Sequence, residues 1–103
     1  MKTIWDPAAK ESLRQIARYI NTQFGRETRR NFITKVHETE TLLKRHPNIG
    51  FPDPLFSHRR YVYRSVIING LSKLVYYVDN DSIYIAALWD TRREPNHQAD
   101  SVE

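Results

Sequence analysis

Six of the arginine, lysine and tyrosine side chains in the second half of the chain are candidates for binding a nucleic acid. They are Arg64, Lys73, Tyr77, Tyr84, Arg92 and Arg93. Arginine offers phosphates a planar fork, lysine offers a compact positive charge, and a tyrosine ring can stack on a base. Together on one surface they would form a cationic face for a nucleic acid or another anionic target. The alternative is that this face of the sheet only contacts water. The cations would then be ordinary solvated charges, and the amphipathic tyrosines would shield the sheet surface beneath them.

Most other chemistry lacks the residues that it needs. Three glycines allow neither a phosphate-binding nor a dinucleotide-binding glycine motif. The chain has no cysteine, which removes thiolate metal sites and thiol nucleophiles. The four histidines are not spaced as metal ligands are. The sequence therefore predicts no metal site and no cofactor.

The net charge of +4 hides an uneven distribution. Residues 1–78 carry 14 Lys and Arg against 6 Asp and Glu, whereas residues 79–103 carry 2 against 6. A basic body rich in arginine favours an anionic partner, although many such charges on small domains only face water. No apolar run approaches the roughly 20 residues of a membrane span. We therefore expect a cytoplasmic protein with no membrane partner.

Two helices are predicted to follow a short N-terminal strand at residues 2–5. Asp6 can cap the free N–H groups of a helix, and Pro7 suits its first position. Apolar residues then recur at three- and four-residue spacing until Gly25, where the first helix should end. A second helix is expected at residues 27–46, and the short link between the two predicts an antiparallel helical hairpin.

The second half of the chain has the composition of a β-sheet. Residues 48–58 contain prolines and glycine and predict an irregular loop. Residues 61–68, 72–78 and 82–89 are rich in Val, Ile and Tyr and predict three strands. The order is β-α-α-β-β-β, an α+β fold with the helical hairpin on a small, mainly antiparallel sheet. Residues 1–95 should form this single domain, with residues 96–103 as a C-terminal tail.

Turn chemistry predicts which side chains share a face of the sheet. Asn69-Gly70 favours a two-residue hairpin turn, which would place Arg64 and Lys73 on one face as diagonal neighbours. A second turn would pair Tyr77 with Tyr84 on that same face. A slip of one residue in either pairing would scatter this cationic face.

The remaining apolar residues divide between the two faces. The face under the helices should carry Tyr61, Tyr63, Ile67, Leu74, Tyr76, Val78, Ile83, Ile85 and Trp89. The cationic face should carry Val62, Val66, Ile68, Val75 and Leu88. A monomer seldom leaves that much apolar strand surface open, so we expect a partner to cover the second set.

Several short motifs resemble a known family. The pattern W-x-P-x-A-x-x-x-L-x-x-I-x-x-Y-I runs from Trp5 to Ile20, H-P-N-I-G occupies residues 46–50, K-L-V-Y-Y-V occupies residues 73–78, and L-W-D-T-R-R-E-P occupies residues 88–95. In this order the motifs resemble RelE/ParE-family toxins of bacterial type II toxin–antitoxin systems. The resemblance covers the chain to about residue 95 and implies a growth-inhibiting toxin with that family's fold, a small sheet with an N-terminal helical hairpin.

The family has two branches with different targets. The RelE-like branch cuts mRNA in the ribosomal A site, and the resemblance then implies catalytic roles for Arg64, Lys73, Arg93 and His97. Clustered cations would stabilise the extra charge formed when an RNA 2′-hydroxyl attacks the neighbouring phosphate. That branch uses a C-terminal tyrosine or histidine, and this chain has no tyrosine after Trp89.

The ParE-like branch poisons DNA gyrase without being an enzyme. The long hairpin and the missing C-terminal tyrosine favour this branch, and a binding module that has lost toxicity is a third reading. In each toxin reading the resemblance implies a cognate antitoxin. We expect an acidic antitoxin segment that folds on contact, covers Val62, Val66, Val75 and Leu88, and hides the cationic face.

Overall fold

The computed structural model describes residues 1–70 and 72–90. The elements are, in chain order, β1 (Lys2–Trp5), α1 (Pro7–Phe24), α2 (Arg26–Arg45), β2 (Phe51–Pro52), a short 3-10 helix (Pro54–Phe56), β3 (Arg64–Ile68), β4 (Ser72–Asp79) and β5 (Ser82–Asp90). The predicted α+β fold, a helical hairpin on one face of a mainly antiparallel sheet, is confirmed.

The helical hairpin forms as its capping residues predict. The carboxylate of Asp6 accepts a hydrogen bond of 2.9 Å from the backbone N–H of Ala8, and Pro7 is the first residue of α1. Gly25 ends that helix with a φ of 96°, a left-handed conformation that glycine adopts without steric cost. The second helix begins at the next residue, so the connection is as short as predicted.

The sheet brings the first and last described strands together. Its strand order is β1-β5-β4-β3-β2, with β1 parallel to β5 and every other pair antiparallel. Both helices lie on one face, over a core formed by Ala9, Phe32, Val36, Leu43, Ile68, Leu74, Tyr76, Ile83, Ile85 and Leu88. Five of the residues predicted for this face are found there, namely Leu74, Tyr76, Val78, Ile83 and Ile85.

The predicted register at Asn69-Gly70 is wrong by one residue. Ile68 pairs with Ser72, so three residues rather than two separate the paired ends of β3 and β4. Side chains alternate along a strand, and a shift of one residue therefore moves a whole strand's pattern to the opposite face. Arg64 now lies opposite Tyr76 and Lys73 opposite Ile67, which puts Arg64 and Lys73 on opposite faces of the sheet.

The second face is closed by the chain's own residues. Phe56, Tyr63, Val75 and Ala87 form a buried cluster there, with Leu55, Tyr61, Tyr77, Ala86 and Trp89 packed around it. The prediction that Tyr61, Tyr63, Ile67 and Trp89 lie under the helices is therefore wrong. Three of them belong to this second cluster, and Ile67 is 49% exposed on the same face.

A β-bulge explains the position of Leu88. The turn after Asp79 has the predicted two residues, and Tyr77 pairs with Tyr84 as expected. The register then shifts between Val75 and Tyr76, because Ala86 is an extra residue on β5. Leu88 consequently pairs with Leu74 and lies in the core under the helices, not on the second face.

The segment predicted as an irregular loop at residues 48–58 contains regular structure. It forms β2, an edge strand beside β3, and then the 3-10 helix. The prolines and the glycine of this segment favoured a loop and gave no sign of either element. An edge strand tolerates Pro52 because one side of that strand needs no hydrogen-bond donor. Among the residues that the structure describes, no helix has the length and apolar character needed to cross a membrane.

Candidate functional site

Arg64 is the centre of the predicted site, and its side chain is bound to the backbone after α2. Its Nη1 donates hydrogen bonds to the carbonyl oxygens of Gly50 at 2.9 Å and Asn48 at 3.4 Å. A guanidinium is well suited to this task because its donors form a planar fork. Arg64 is half-buried and anchors residues 48–50 against β3.

Tyr76, which is paired with Arg64 on the same face of the sheet, holds the same segment. Its hydroxyl donates to the carbonyl oxygen of Pro47 at 2.7 Å and accepts from the N–H of Gly50 at 2.9 Å. Burial raises the pKa of Tyr76, while the Gly50 hydrogen bond and the charge of Arg64 act in the opposite direction. The phenol therefore stays neutral near pH 7, which suits a structural donor and acceptor.

Lys73 forms a buried ion pair on the opposite face of the sheet. Its Nζ lies 2.8 Å from Oδ2 of Asp53. The same oxygen accepts a hydrogen bond of 2.6 Å from the hydroxyl of Ser65. Oδ1 of Asp53 accepts from the N–H of Leu55 at 3.0 Å. Burial raises the pKa of Asp53, but the hydrogen bonds from Lys73, Ser65 and Leu55 outweigh it and leave that pKa below its ordinary value.

This geometry gives Lys73 a structural role. Its side chain is 10% exposed and that of Asp53 is 3% exposed. The ion pair fastens the 3-10 helix to β4, and Lys73 Nζ also lies 5.9 Å from the centre of the Phe56 ring. A lysine held in this way is not free to contact a phosphate, so the predicted pairing of Arg64 with Lys73 at one site is wrong.

Tyr77 and Tyr84 do lie together, in a stack of three rings. Tyr61 and Tyr77 are 4.4 Å apart between ring centres, and Tyr77 and Tyr84 are 5.0 Å apart. The Tyr61 hydroxyl donates to Asp79 at 3.1 Å, and the guanidinium of Arg60 lies 5.4 Å over the Tyr61 ring. Burial, followed by the neighbouring tyrosines and Asp79, raises the pKa of Tyr77.

The stack borders an open groove of about 450 Å³ that is also lined by Trp5 and Tyr63. Rings that stack on each other already occupy each other's faces, which leaves mainly their edges for a ligand. This arrangement is therefore less suited to stacking on nucleic-acid bases than the sequence suggests. Among the residues that line the groove, those with polar side-chain groups are Trp5, Asp6, Tyr63, Tyr77 and Tyr84.

The other predicted site residues are in different situations. Arg92, Arg93 and His97 lie outside the described residues. Of the four predicted antitoxin contacts, Val62 is 63% exposed, Val66 packs against the helix-side core, and Val75 and Leu88 are fully buried. The prediction that these four side chains form one open apolar surface is therefore wrong. The register of β3 and β4 and the bulge in β5 place Val66 and Leu88 under the helices.

Sequence reasoning missed three residues that organise this region. Asp53 and Gly50 lie in the segment predicted as an irregular loop, and Tyr76 is predicted only as a core residue. A buried carboxylate opposite a lysine has no local signature, because the partners are 20 residues apart. Within the described parts of the chain, no three His, Cys, Asp or Glu side chains group to hold a metal ion.

The similarity to known proteins extends over most of the chain. The family model described as the ParE toxin of the type II toxin–antitoxin system parDE matches residues 3–95. A solved structure, the chromosomal ParDE toxin–antitoxin system from P. aeruginosa, aligns with a TM-score of 0.70 at 19% identity, covering 87% of this chain and 95% of that one. At that identity the alignment shows a shared fold. A comparison with curated proteins gave no match.

Proposed function

Because the chain belongs to the ParE toxin family of type II toxin–antitoxin systems, we propose that it inhibits growth by poisoning DNA gyrase. The alternative target is mRNA on the ribosome, for which the sequence suggests a cluster of cations around Arg64. The observation that favours gyrase is the separation of Arg64 and Lys73 on opposite faces, with Lys73 paired to a buried carboxylate. RNA cleavage by cations needs them convergent on one phosphate.

Purified toxin is expected to inhibit DNA supercoiling by gyrase and to leave mRNA intact. The measurement compares supercoiling by gyrase with relaxation by a type I topoisomerase, which controls for direct effects on DNA. Primer extension on ribosome-bound mRNA is run in parallel. Cleaved mRNA with normal supercoiling would identify an RNA-cutting toxin and contradict the proposal, and no effect in either assay would identify a non-toxic binding module.

Membership of a toxin–antitoxin family implies an antitoxin partner, and we propose that it docks along the edge of β2 and β3. β2 pairs only with Arg64 and Ser65, so residues 66–68 of β3 pair with β4 on one side only. Phe51 and Ile67 are 47% and 49% exposed and are diagonal neighbours on the second face. An extended, acidic antitoxin segment could add a strand there and bury both side chains.

Ile67→Glu is expected to weaken the antitoxin complex at least about ten-fold, since a charge would be buried at the added strand. The matched control is Leu42→Glu, because Leu42 is 42% exposed on α2, which packs on the opposite face of the sheet from Ile67. Titration calorimetry with the cognate antitoxin measures both variants, and circular dichroism checks their folding. Equal weakening by both substitutions, or by neither, would place the antitoxin elsewhere.

A further inference from the structure

The end of the helical hairpin is not part of the core that packs on the sheet. We call residues 21–31 the hairpin tip; they comprise the last turn of α1, Gly25 and the start of α2. Every one of these residues is exposed, and the contacts with the helix-side core end at Ile20 and Phe32. The helices have 18 and 20 residues, about 27 and 30 Å, and no residue of their joined ends belongs to the core over the sheet.

The hairpin tip carries unpaired positive charge. Arg26 lies three and four residues before Arg29 and Arg30, so the three guanidinium groups share one side of α2. Within residues 1–70 and 72–90, none of the three forms an ion pair or a hydrogen bond through its side chain. Glu27 is the single acid in the tip.

Three cations near the sheet are used within the protein instead. Lys73 is paired with Asp53, Arg64 binds backbone carbonyls, and Arg60 lies over a tyrosine ring. The sequence predicts that two of these, Arg64 and Lys73, contact an anionic target. In the described part of the structure, exposed arginines without a side-chain partner are instead found together at the hairpin tip.

The chemistry of the tip fits a phosphate backbone better than a protein surface. Stable protein interfaces have an apolar centre, whereas Phe24 is the one large apolar side chain of the tip, 66% exposed. Three arginine forks without acidic partners match the regular negative charge of a nucleic-acid duplex. We propose that the hairpin tip binds the phosphate backbone of double-stranded DNA. Under the proposed function, on which this inference rests, that DNA is the segment held by gyrase.

The test compares two triple variants with the same change in charge. The tip variant is Arg26→Gln/Arg29→Gln/Arg30→Gln, and the control variant is Lys35→Gln/Lys44→Gln/Arg45→Gln. The control residues are exposed on the same helix and have no side-chain partner within the described residues. Fluorescence anisotropy of a labelled 20-base-pair duplex gives the dissociation constant of each full-length toxin at several salt concentrations.

The tip variant is expected to bind DNA at least ten-fold more weakly than the control variant. The slope of log affinity against log salt should also fall by up to about 2.7, roughly 0.9 for each phosphate contact removed. Equal losses in both variants would mean that only overall charge matters and would overturn the proposal. A tip variant that keeps its DNA affinity but no longer binds the antitoxin would assign the tip to a protein partner and overturn it too.

Gyrase assays on the same proteins separate this inference from the proposed function. If the wild-type toxin binds DNA through the tip but does not inhibit supercoiling, the inference holds and gyrase is the wrong target. If the wild-type and tip variants inhibit gyrase equally and neither binds DNA, the gyrase proposal holds and the inference fails. The matched charge change in the control variant prevents nonspecific attraction from imitating either result.

Discussion

Replacing Lys73 by alanine is expected to lower the free energy of unfolding by about 3–5 kcal/mol, as found when one partner of a buried ion pair is removed. The substitution leaves the Asp53 carboxylate almost fully buried without its countercharge. It also removes the polar link between the start of the 3-10 helix and β4, and leaves the apolar packing of Phe56 near Val75 to hold them together. Chemical denaturation at pH 7 measures the change, and Lys35→Ala, an exposed substitution on α2, is the control.

A double variant separates the loss of charge balance from the loss of packing. Asp53→Asn/Lys73→Met removes both charges, keeps an oxygen that can accept from the Leu55 N–H, and places an amide NH2 beside the Ser65 hydroxyl, which can accept from it. Neutral replacements of buried ion pairs are often as stable as the original pair, so this variant should recover most of the lost stability. If Lys73→Ala were as stable as Lys35→Ala, Lys73 would have no structural role.

The same ion pair makes stability depend on pH in a defined direction. The pKa of Asp53 in the folded protein is below its ordinary value of 3.8, so the folded state favours the ionised carboxylate. Its contribution is therefore fully present above that ordinary value and is lost as the pH falls below it. The difference in free energy of unfolding between the wild type and Lys73→Ala should therefore decrease as the pH is lowered from 5 to about 2.

Gly50→Ala is expected to destabilise the protein by about 1–3 kcal/mol or more, because it overfills a closely packed site. A Cβ atom at Gly50 would lie 2.8 Å from both Cε1 and the hydroxyl of Tyr76 and 2.9 Å from the carbonyl oxygen of Ser65. Tyr76 is fully buried and Ser65 belongs to β3, so neither can move away easily. Thermal and chemical unfolding measure the effect.

Two further variants identify the cause of that loss. Asn48→Ala changes an exposed side chain in the same segment and should be nearly neutral. Tyr76→Leu removes the ring that the new methyl group would meet, so combining it with Gly50→Ala should cost less than the sum of the two single changes. If the stability losses of the two single variants simply added in the double variant, the clash with Tyr76 would not be the cause of the Gly50→Ala loss.

The helices and, except for β2, the order of the elements along the chain could be predicted because their signals are local. Asp6, Pro7 and Gly25 each act within a few residues, and the apolar spacing of each helix extends over several turns. The register after Asn69-Gly70 could not be predicted in the same way. Asn69 and Gly70 both adopt positive φ, as their residue types favour, but a connection of two or three residues is compatible with that chemistry.

One register error was enough to misplace the candidate site. Because faces alternate with every residue, the added loop position separated Arg64 from Lys73, and the bulge at Ala86 moved Leu88 under the helices. The turn at Asn80-Asp81 has the predicted length, and Tyr77 and Tyr84 are neighbours as expected. The Asp53–Lys73 pair depends on the 3-10 helix folding back over β4, which no spacing in the sequence reveals.

The pairing of β1 with β5 also governs when a ribosome can deliver a folded toxin. Residues 2–5 are held by residues 82–85, so the nascent chain cannot complete its sheet until its last strand has been made. At about 5–20 residues per second, the first strand waits roughly 4–16 s for its neighbour. A product terminated before Ser82 lacks the neighbour of its first strand, and premature termination therefore yields fragments without the finished sheet.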